Sequence, residues 1–534
     1  MDMAVTDKKP AASAWAPFSH SSFAVLWVAT VVSNIGTWMH DVGAGWLMTE
    51  LSSSPLVVSA VQAATTLPVF LFALLAGAVA DIVDRRKLLI AVNVLLAAAA
   101  ATLATLVSLD LVTPLVLILF TFALGTGAAF VAPAWQAIVP SLVPRSELPA
   151  AIALNSMGIN VSRAIGPAVA GVLIVGVGLW SPFALNAVSF IGIIAALLWW
   201  KPPVTAEKTL PPEDVGAAIV AGLRYAVHSS PLRATLVSAL AFFLFASAFW
   251  SMLPLIARVV LSGGPTLYGL LLTSVGVGAV AGALLLPRLR TRFGLNRIVA
   301  LGSVGVATSL MLLALVPVAG VALIAAVIAG LSWISVLSSL NHAAQMSLPD
   351  WVRARGLSIF LTVFFGAMSL GSLVWGQIAN SYGIPVAMLL AALGAIVMIP
   401  VTWRSQINDT EGNGLAPSMH WPAPILSGGN AEPDKPVMIQ VRYTVGATDR
   451  DRFLALMREL SDARRRSGGY DWSVMQDAAD PRRFVETWRE ASWTQHLRHH
   501  DRVSLQDQDI QARIRRLQID DAQPSVTHLV TPSH

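Results

Sequence analysis

Residues Arg145 to Gly176 read RSELPAAIALNSMGINVSRAIGPAVAGVLIVG. A charged turn runs into a long, mostly apolar stretch interrupted by Asn155, Ser156, Asn160, Ser162, Arg163 and the pair Gly166-Pro167. A helix over about 150–175 crosses roughly 30 Å of hydrocarbon at ~1.5 Å per residue. Arg163 then lies near mid-membrane, where an arginine is costly and faces a protein interior or a water-filled cavity. Ser156, Asn160, Arg163 and Pro167 follow helical spacing and share a face. Pro167 has no N–H, so the carbonyl of Arg163 loses its helical donor. Ser162, Gly166, Ala170 and Gly171 are small and let a neighbouring helix approach closely. The stretch predicts a moving, solvent-accessed crossing.

The rest of the chain places this helix in a bundle. The 534 residues are 55% hydrophobic and only 12% charged, with a mean hydropathy of +0.67. Apolar spans fall near 23–49, 55–80, 88–109, 114–140, 150–176, 180–200, 232–261, 268–287, 297–317, 319–346, 355–380 and 384–403, so the fold class is an all-α membrane protein of twelve transmembrane helices. Arg85, Arg86, Lys87, Arg145, Lys201, Lys208, Arg224, Arg288, Arg290, Arg292, Arg353 and Arg355 gather in one set of connections; Arg258 is the exception in the other. The basic set marks the cytoplasmic side. A multi-pass protein of the cell inner membrane with both termini cytoplasmic is expected. Residues 1–20 lack an apolar core and read as a cytoplasmic tail, not a signal peptide. There is no cysteine, which excludes disulfides, thiolate metal sites and a cysteine nucleophile.

An internal repeat appears at an offset of 205 residues. Gly77 pairs with Gly282, Arg85 with Arg290, Gly125 with Gly330, Gly166 with Gly371 and Gly171 with Gly376. The pairs predict two pseudo-symmetric six-helix halves, 21–200 and 231–404, around a midplane site. Residues 201–230 are a cytoplasmic linker ending in a short amphipathic helix, and 405–436 a flexible linker. Residues 437–534 change to a soluble domain. VMIQVRYTV, YDWSVMQD, RRFVETWRE and SVTHLVT read as strands; DRDRFLALMRELSDARRR and SWTQHLRHHDRVSLQDQDIQARIRRL read as one helix each. The order β-α-β-β-α-β predicts a small α+β, ferredoxin-like fold.

GAVADIVDRRK, Gly77 to Lys87, joins the second and third spans. It resembles the loop signature of the major facilitator superfamily, with Ile82 and Asp84 departing from it. Asp84 before Arg85-Arg86 resembles the bacterial drug and siderophore exporter branch, the enterobactin-exporter type. The resemblance implies that Gly77, Asp81, Asp84, Arg85 and Arg86 serve the cytoplasmic gate, Asp81 latching a helix N-terminus in the other half. A plain positive-inside anchor is the other reading. Ser162, Gly166, Pro167, Ala170 and Gly171 resemble the superfamily's antiporter motif, with Ser162 and Ala170 where glycines are usual; simple helix packing is the alternative. The resemblance implies drug:proton antiport. The tail resembles antibiotic-biosynthesis monooxygenase domains through Phe484–His500, which carries Glu486, Trp488, His496, His499 and His500. Such domains are enzymes or dimerisation modules; the three histidines invite a haem or metal reading, but clustered surface histidines are usually solvated, and that is the expectation.

Asp41 is the one acid well inside a span, hence a proton-carrier candidate or a solvated vestibule residue. It is the only available counter-charge for Arg163, directly or through water, unless Arg163 is tied to backbone carbonyls. Trp38, Gln62, Asn155, Asn160 and Trp250 are the candidate cavity residues. Trp46 reads as a belt residue and His40 as interfacial, a share in the proton role being the alternative for His40. The chain has no GxxxxGK[ST], HExxH or GxSxG. The expectation is an ion-driven exporter of small amphiphilic molecules, antibiotic or siderophore. Its partners are the bilayer, its substrate and protons, with dimerisation through the tail and no nucleic acid. No cofactor, metal or catalytic residue is expected. The alternative is a membrane-tethered enzyme or sensor acting through the tail.

Overall fold

The computed structural model describes residues 13–144, 146–201, 215–405, 407, 412–421, 434–519 and 524–530. Arg145, Lys208, the Asp81 side chain, parts of the two linkers and most of the N-terminal tail lie outside them. Two compact units emerge: Met1–Leu210 with Ser238–Ser339 and Leu361–Arg404, and Pro211–Val237 with Leu340–Phe360 and Ser405–His534. The second is larger than the expected soluble domain, since it takes in the inter-half helix and the connection after the tenth span.

The membrane unit is built from α1 (Ser21–Leu51), α2 (Pro55–Ile82), α3 (Arg85–Ser108), α4 (Pro114–Ile138), α5 (Leu148–Gly176) and α6 (Ser181–Trp199). After α7 (Val215–His228) come α8 (Ser230–Leu255), α9 (Pro265–Leu315), α10 (Ala319–Met346), α11 (Arg353–Tyr382) and α12 (Ile384–Val397), continued by α13 (Ile399–Arg404). Among the described residues, eleven helical stretches are long and apolar enough to cross a membrane. One of them, α9, has 51 residues and breaks at Gly294 (φ 71°, ψ 167°). At ~1.5 Å per residue it would otherwise be about 76 Å long, far more than a bilayer. The break divides it into two crossings, and twelve spans result. The eighth and ninth spans are thus joined by one residue rather than by a loop.

That conformation is essentially reserved for glycine. Gly294→Val is expected to cost about 1–3 kcal/mol, read as a lower unfolding temperature of the purified protein; an unchanged temperature would show that the break tolerates a side chain.

The 205-residue repeat is reproduced in packing. Arg85 Nη1 donates to the Ala137 carbonyl (3.4 Å) and Arg290 Nη2 to that of Ser338 (2.8 Å), so each ties the end of the fourth span of its own half. Gly125 of α4 closes on the Thr65 carbonyl of α2, and Gly330 of α10 on that of Val275 in α9. Gly166 of α5 meets α1 at Trp38, and Gly371 of α11 meets α8 at Leu244. Gly77 and Gly282 do not match: nothing stands within 4 Å of a Cβ on Gly77, while Gly282 packs against Leu331.

In the second unit β1 (Val437–Thr444), α14 (Arg450–Ser467), β2 (Tyr470–Gln476), β3 (Arg483–Glu490), α15 (Trp493–Arg502), α16 (Leu505–Arg515) and β4 (Ser525–Val530) follow in order. All pairings are antiparallel, in the order β2-β3-β1-β4, the ferredoxin-like arrangement. β1 alternates as its sequence predicts, with Val437, Ile439, Val441 and Tyr443 buried. The expected single helix over 492–517 is two. Ser504 caps α16, accepting from Asp507 N while the Asp507 carboxylate takes Ser504 N; this S-x-x-D capping box stops α15 at Arg502. Buried Glu486 accepts from Arg464 (3.1 Å), Tyr443 (2.8 Å) and Trp472 (2.9 Å). Burial works against the Arg464 charge, yet Glu486 beside it keeps that guanidinium above its ordinary pKa. α7 lies along α14. Tyr225 donates to the Ser347 carbonyl (2.9 Å) beneath Arg466, and Arg502 stacks on Trp351 at 4.1 Å.

Candidate functional site

Two cavities meet at Asp41. The central one, about 310 Å³, lies between the halves. Trp38, Asp41, Gln62, Thr65 and Arg163 line it from the first half, and Trp250, Tyr268, Leu272, Trp333, Phe364, Phe365 and Met368 from the second. Its volume suits a small organic ligand, and its walls are mainly apolar and aromatic with few polar groups. Trp250 meets Trp333 edge-on at 5.2 Å, and Trp333 meets Phe364 at 6.0 Å. The other cavity, about 380 Å³, runs inside the first half; its wall is mainly apolar, with Ser33, Asn34, Thr37, Asn93, Asn155 and Asn186 set into it. Asp41 and Thr65 line both.

Asp41 is the one carboxylate among these lining residues. Arg163 faces the same central cavity, its guanidinium carbon 5.3 Å from the Trp38 ring centre, and its Nε is buried without a hydrogen-bond partner. Among the described residues no hydrogen bond or ion pair joins Asp41 to Arg163. Of the expected cavity residues, Trp38, Gln62 and Trp250 are in the central wall. Asn155 is in the inner cavity instead, accepting from Trp135 Nε1 at 3.2 Å. Asn160 lines neither: its amide turns back to the Ser156 carbonyl at 2.9 Å, because one helical turn separates them.

Two further expectations fail. His40 is not interfacial; it is 3% exposed, faces the inner cavity and packs edge-on against Phe183 at 4.7 Å. Trp46 is not a lipid-belt residue; it is buried, stacks with Tyr268, lies under Arg258 and donates to Glu50.

The Ser162–Gly171 stretch is a double packing seam. Ser162 Oγ donates to the Val31 carbonyl of α1 at 3.1 Å, and Ala170 is fully buried. Gly171 and the Pro167 carbonyl press on Gly269 of α9. A Cβ on Gly269 would stand 2.5 Å from that oxygen. The halves also touch where Arg258 donates to Thr49 (3.1 Å) and Ser54 to Asn380 (2.9 Å), and where Gly376 rests on Leu56 and Ser59. These contacts lie at the end of the bundle where α1 finishes and α2 begins.

At the opposite end, Asp84 caps α3 by accepting from Lys87 N (2.9 Å). Arg86 donates to the carbonyls of Leu197 and Leu198 (both 2.7 Å), at the C-terminus of α6, where a cation is favoured. Asp84, Arg85 and Arg86 thus engage partners within the first half.

A family model described as transmembrane secretion effector matches residues 12–534. The chain belongs to that major facilitator family. The chain is 24% identical to the staphyloferrin A transporter of Staphylococcus aureus over 375 residues, 69% of this chain and 92% of that protein. It is 25% identical to the multidrug efflux pump Tap of Mycolicibacterium fortuitum over 385 residues, again 69% and 92%. Among solved structures, a POT family transporter in complex with a thioalcohol-conjugated peptide has a TM-score of 0.59 at 14% identity, covering 72% of this chain and 96% of that one. An inward-facing, occupied bacterial homologue of the human lysosomal transporter Spinster also scores 0.59 at 14% identity, with 73% and 97% covered. The chain is a membrane transporter, not an enzyme.

Proposed function

We propose that the chain exports small amphiphilic organic molecules, of antibiotic or siderophore type, in exchange for protons across a cell inner membrane. The observation that carries this reading is the position of Asp41: one carboxylate shared by an aromatic cavity between the halves and a second cavity, inside the first half, whose wall carries hydroxyl and amide side chains. The aromatic cavity takes the substrate. The hydroxyl and amide groups of the second line a water and proton path to the carboxylate. Arg163, across the central cavity, pairs with ionised Asp41 through water and is released when Asp41 takes a proton. The named activities of the staphyloferrin A and Tap relatives support the substrate class.

Arg85, Arg86, Lys87, Lys201, Arg288, Arg290 and Arg292 all lie at the end of the bundle where α1 begins, which supports a cytoplasmic side there and cytoplasmic termini. The contacts at the other end then close the outer side. On this reading Asp81 and Gly77 serve a cytoplasmic latch, with Asp84, Arg85 and Arg86 holding the loop to its own half. The tail presents β2 and β4 as sheet edges, with Met475, Val526 and Val530 exposed, which suits dimerisation; crosslinking through a cysteine at Val526 tests it.

The transport experiment uses energised inverted vesicles and a panel of a macrolide, a cationic dye and a siderophore. Accumulation is expected for at least one class, with proton release from the vesicle lumen on substrate addition, and it should collapse with the pH gradient. Accumulation indifferent to the gradient would overturn proton coupling; none across the panel would overturn the substrate class.

A further inference from the structure

The surface histidines expected in the tail are not on the surface as a group. His496 is 1% and His499 2% exposed, and a fourth, His528, arrives from β4. We propose that His496, His500 and His528 form a binding site for one divalent transition-metal ion, zinc above all, with a fourth coordination position open. One ligand atom from each residue lies within 4.8 Å of the other two. The site is assembled from both ends of the domain: His496 and His500 stand one turn apart on α15, and His528 projects from the edge strand against them.

The geometry is close to what coordination requires. His496 Nε2 and His500 Nε2 are 3.2 Å apart. Two nitrogens bound tetrahedrally to zinc at about 2.0–2.1 Å stand roughly 3.3–3.4 Å from each other. The outer partner is in place as well. His496 turns Nδ1 to the buried Glu490 carboxylate at 3.1 Å, which puts the ring proton on Nδ1 and leaves the Nε2 lone pair facing His500. Glu490 is itself held by Trp488 Nε1 (2.9 Å) and His499 Nδ1. A carboxylate behind a ligating imidazole orients the ring and raises its basicity.

The walls restrict solvent. Trp493 packs on His496 (5.3 Å) and His528 (5.9 Å), and Trp421 on His500 (4.8 Å). Three imidazoles without an oxygen ligand favour zinc, cobalt or nickel over magnesium or calcium. A bound ion would fasten β4 to α15, the helix whose last residue, Arg502, stacks on Trp351.

The test titrates the full-length protein, carrying a histidine-free affinity tag in detergent, with Co(II) and then Zn(II). One Co(II) per chain with the strong visible absorption of tetrahedral coordination, displaced by Zn(II), is expected. His500→Ala and His528→Ala should abolish it. Glu490→Gln should weaken it about 10- to 100-fold, and His420→Ala should leave it unchanged. His528 sits half-buried on an edge strand, so its substitution is compatible with a folded tail, verified by tryptophan fluorescence. Co(II) binding that is absent in the wild type, or equal in the wild type and His528→Ala, would overturn the site.

Discussion

Asp41→Asn is expected to abolish gradient-driven accumulation in inverted vesicles while leaving substrate binding in place. The substitution keeps the size of the side chain and removes its ability to carry a proton. The ratio of accumulation with and without the gradient should fall to unity, because exchange without a proton carrier cannot draw on the gradient. Binding persists because the aromatic wall of Trp38, Trp250, Trp333 and Phe364 is untouched. Arg163→Met should give a different phenotype, a weakened response to pH with the carboxylate still titrating, since it removes the partner and not the carrier. If Asp41→Asn keeps full gradient dependence, the proton site moves elsewhere, and the buried His40 of the inner cavity is the next residue to change.

Gly269→Val should stop transport by another route, by preventing closure of the end where α1 finishes and α2 begins. Its Cβ would meet the Pro167 carbonyl oxygen and the Gly171 backbone, and backbone cannot rotate aside as a side chain can. Overpacking of this kind costs about 1–3 kcal/mol, and each 1.4 kcal/mol is about tenfold. The population closed at that end therefore falls roughly 5- to 150-fold. The chain has no cysteine, so a single cysteine at Gln62, in the central cavity wall, reports the state alone. Its labelling by an impermeant thiol reagent from the side of that end should rise in Gly269→Val. Labelling equal to that of the parent would show that the α5–α9 seam is not part of the closure.

The residues that could be read from the sequence are those whose chemistry is out of place in hydrocarbon. Asp41, Arg163 and Gln62 are costly in a span, so their presence alone points to a cavity, and the structure puts all three in its wall. Trp333, Tyr268, Phe364 and Met368 were not legible. Lipid is as apolar as a helix interface, so an aromatic residue in an apolar span does not reveal which of the two it faces. Trp46, near a span end, fits the interface equally well until its packing against Tyr268 is known, and a polar His40 past mid-span fits either surroundings until its packing against Phe183 is known. The repeat was legible because close helix contact demands glycine, and Gly166, Gly171, Gly371 and Gly376 each meet a helix where their partner does. The break in the tail helix was written in Ser504 and Asp507, but a continuous apolar period across them masked it.

The aromatic patch of the second unit has a bearing on biogenesis. Synthesis proceeds from the N-terminus, so Tyr225 and Trp351 leave the ribosome long before Arg466 and Arg502, which cover them. A chain released soon after Arg404 carries every membrane crossing and yet displays both rings uncovered. Exposed aromatic surface is what chaperones and proteases recognise. The last hundred or so residues therefore supply the two guanidiniums that close over these rings, contacts that a chain cut short after Arg404 lacks.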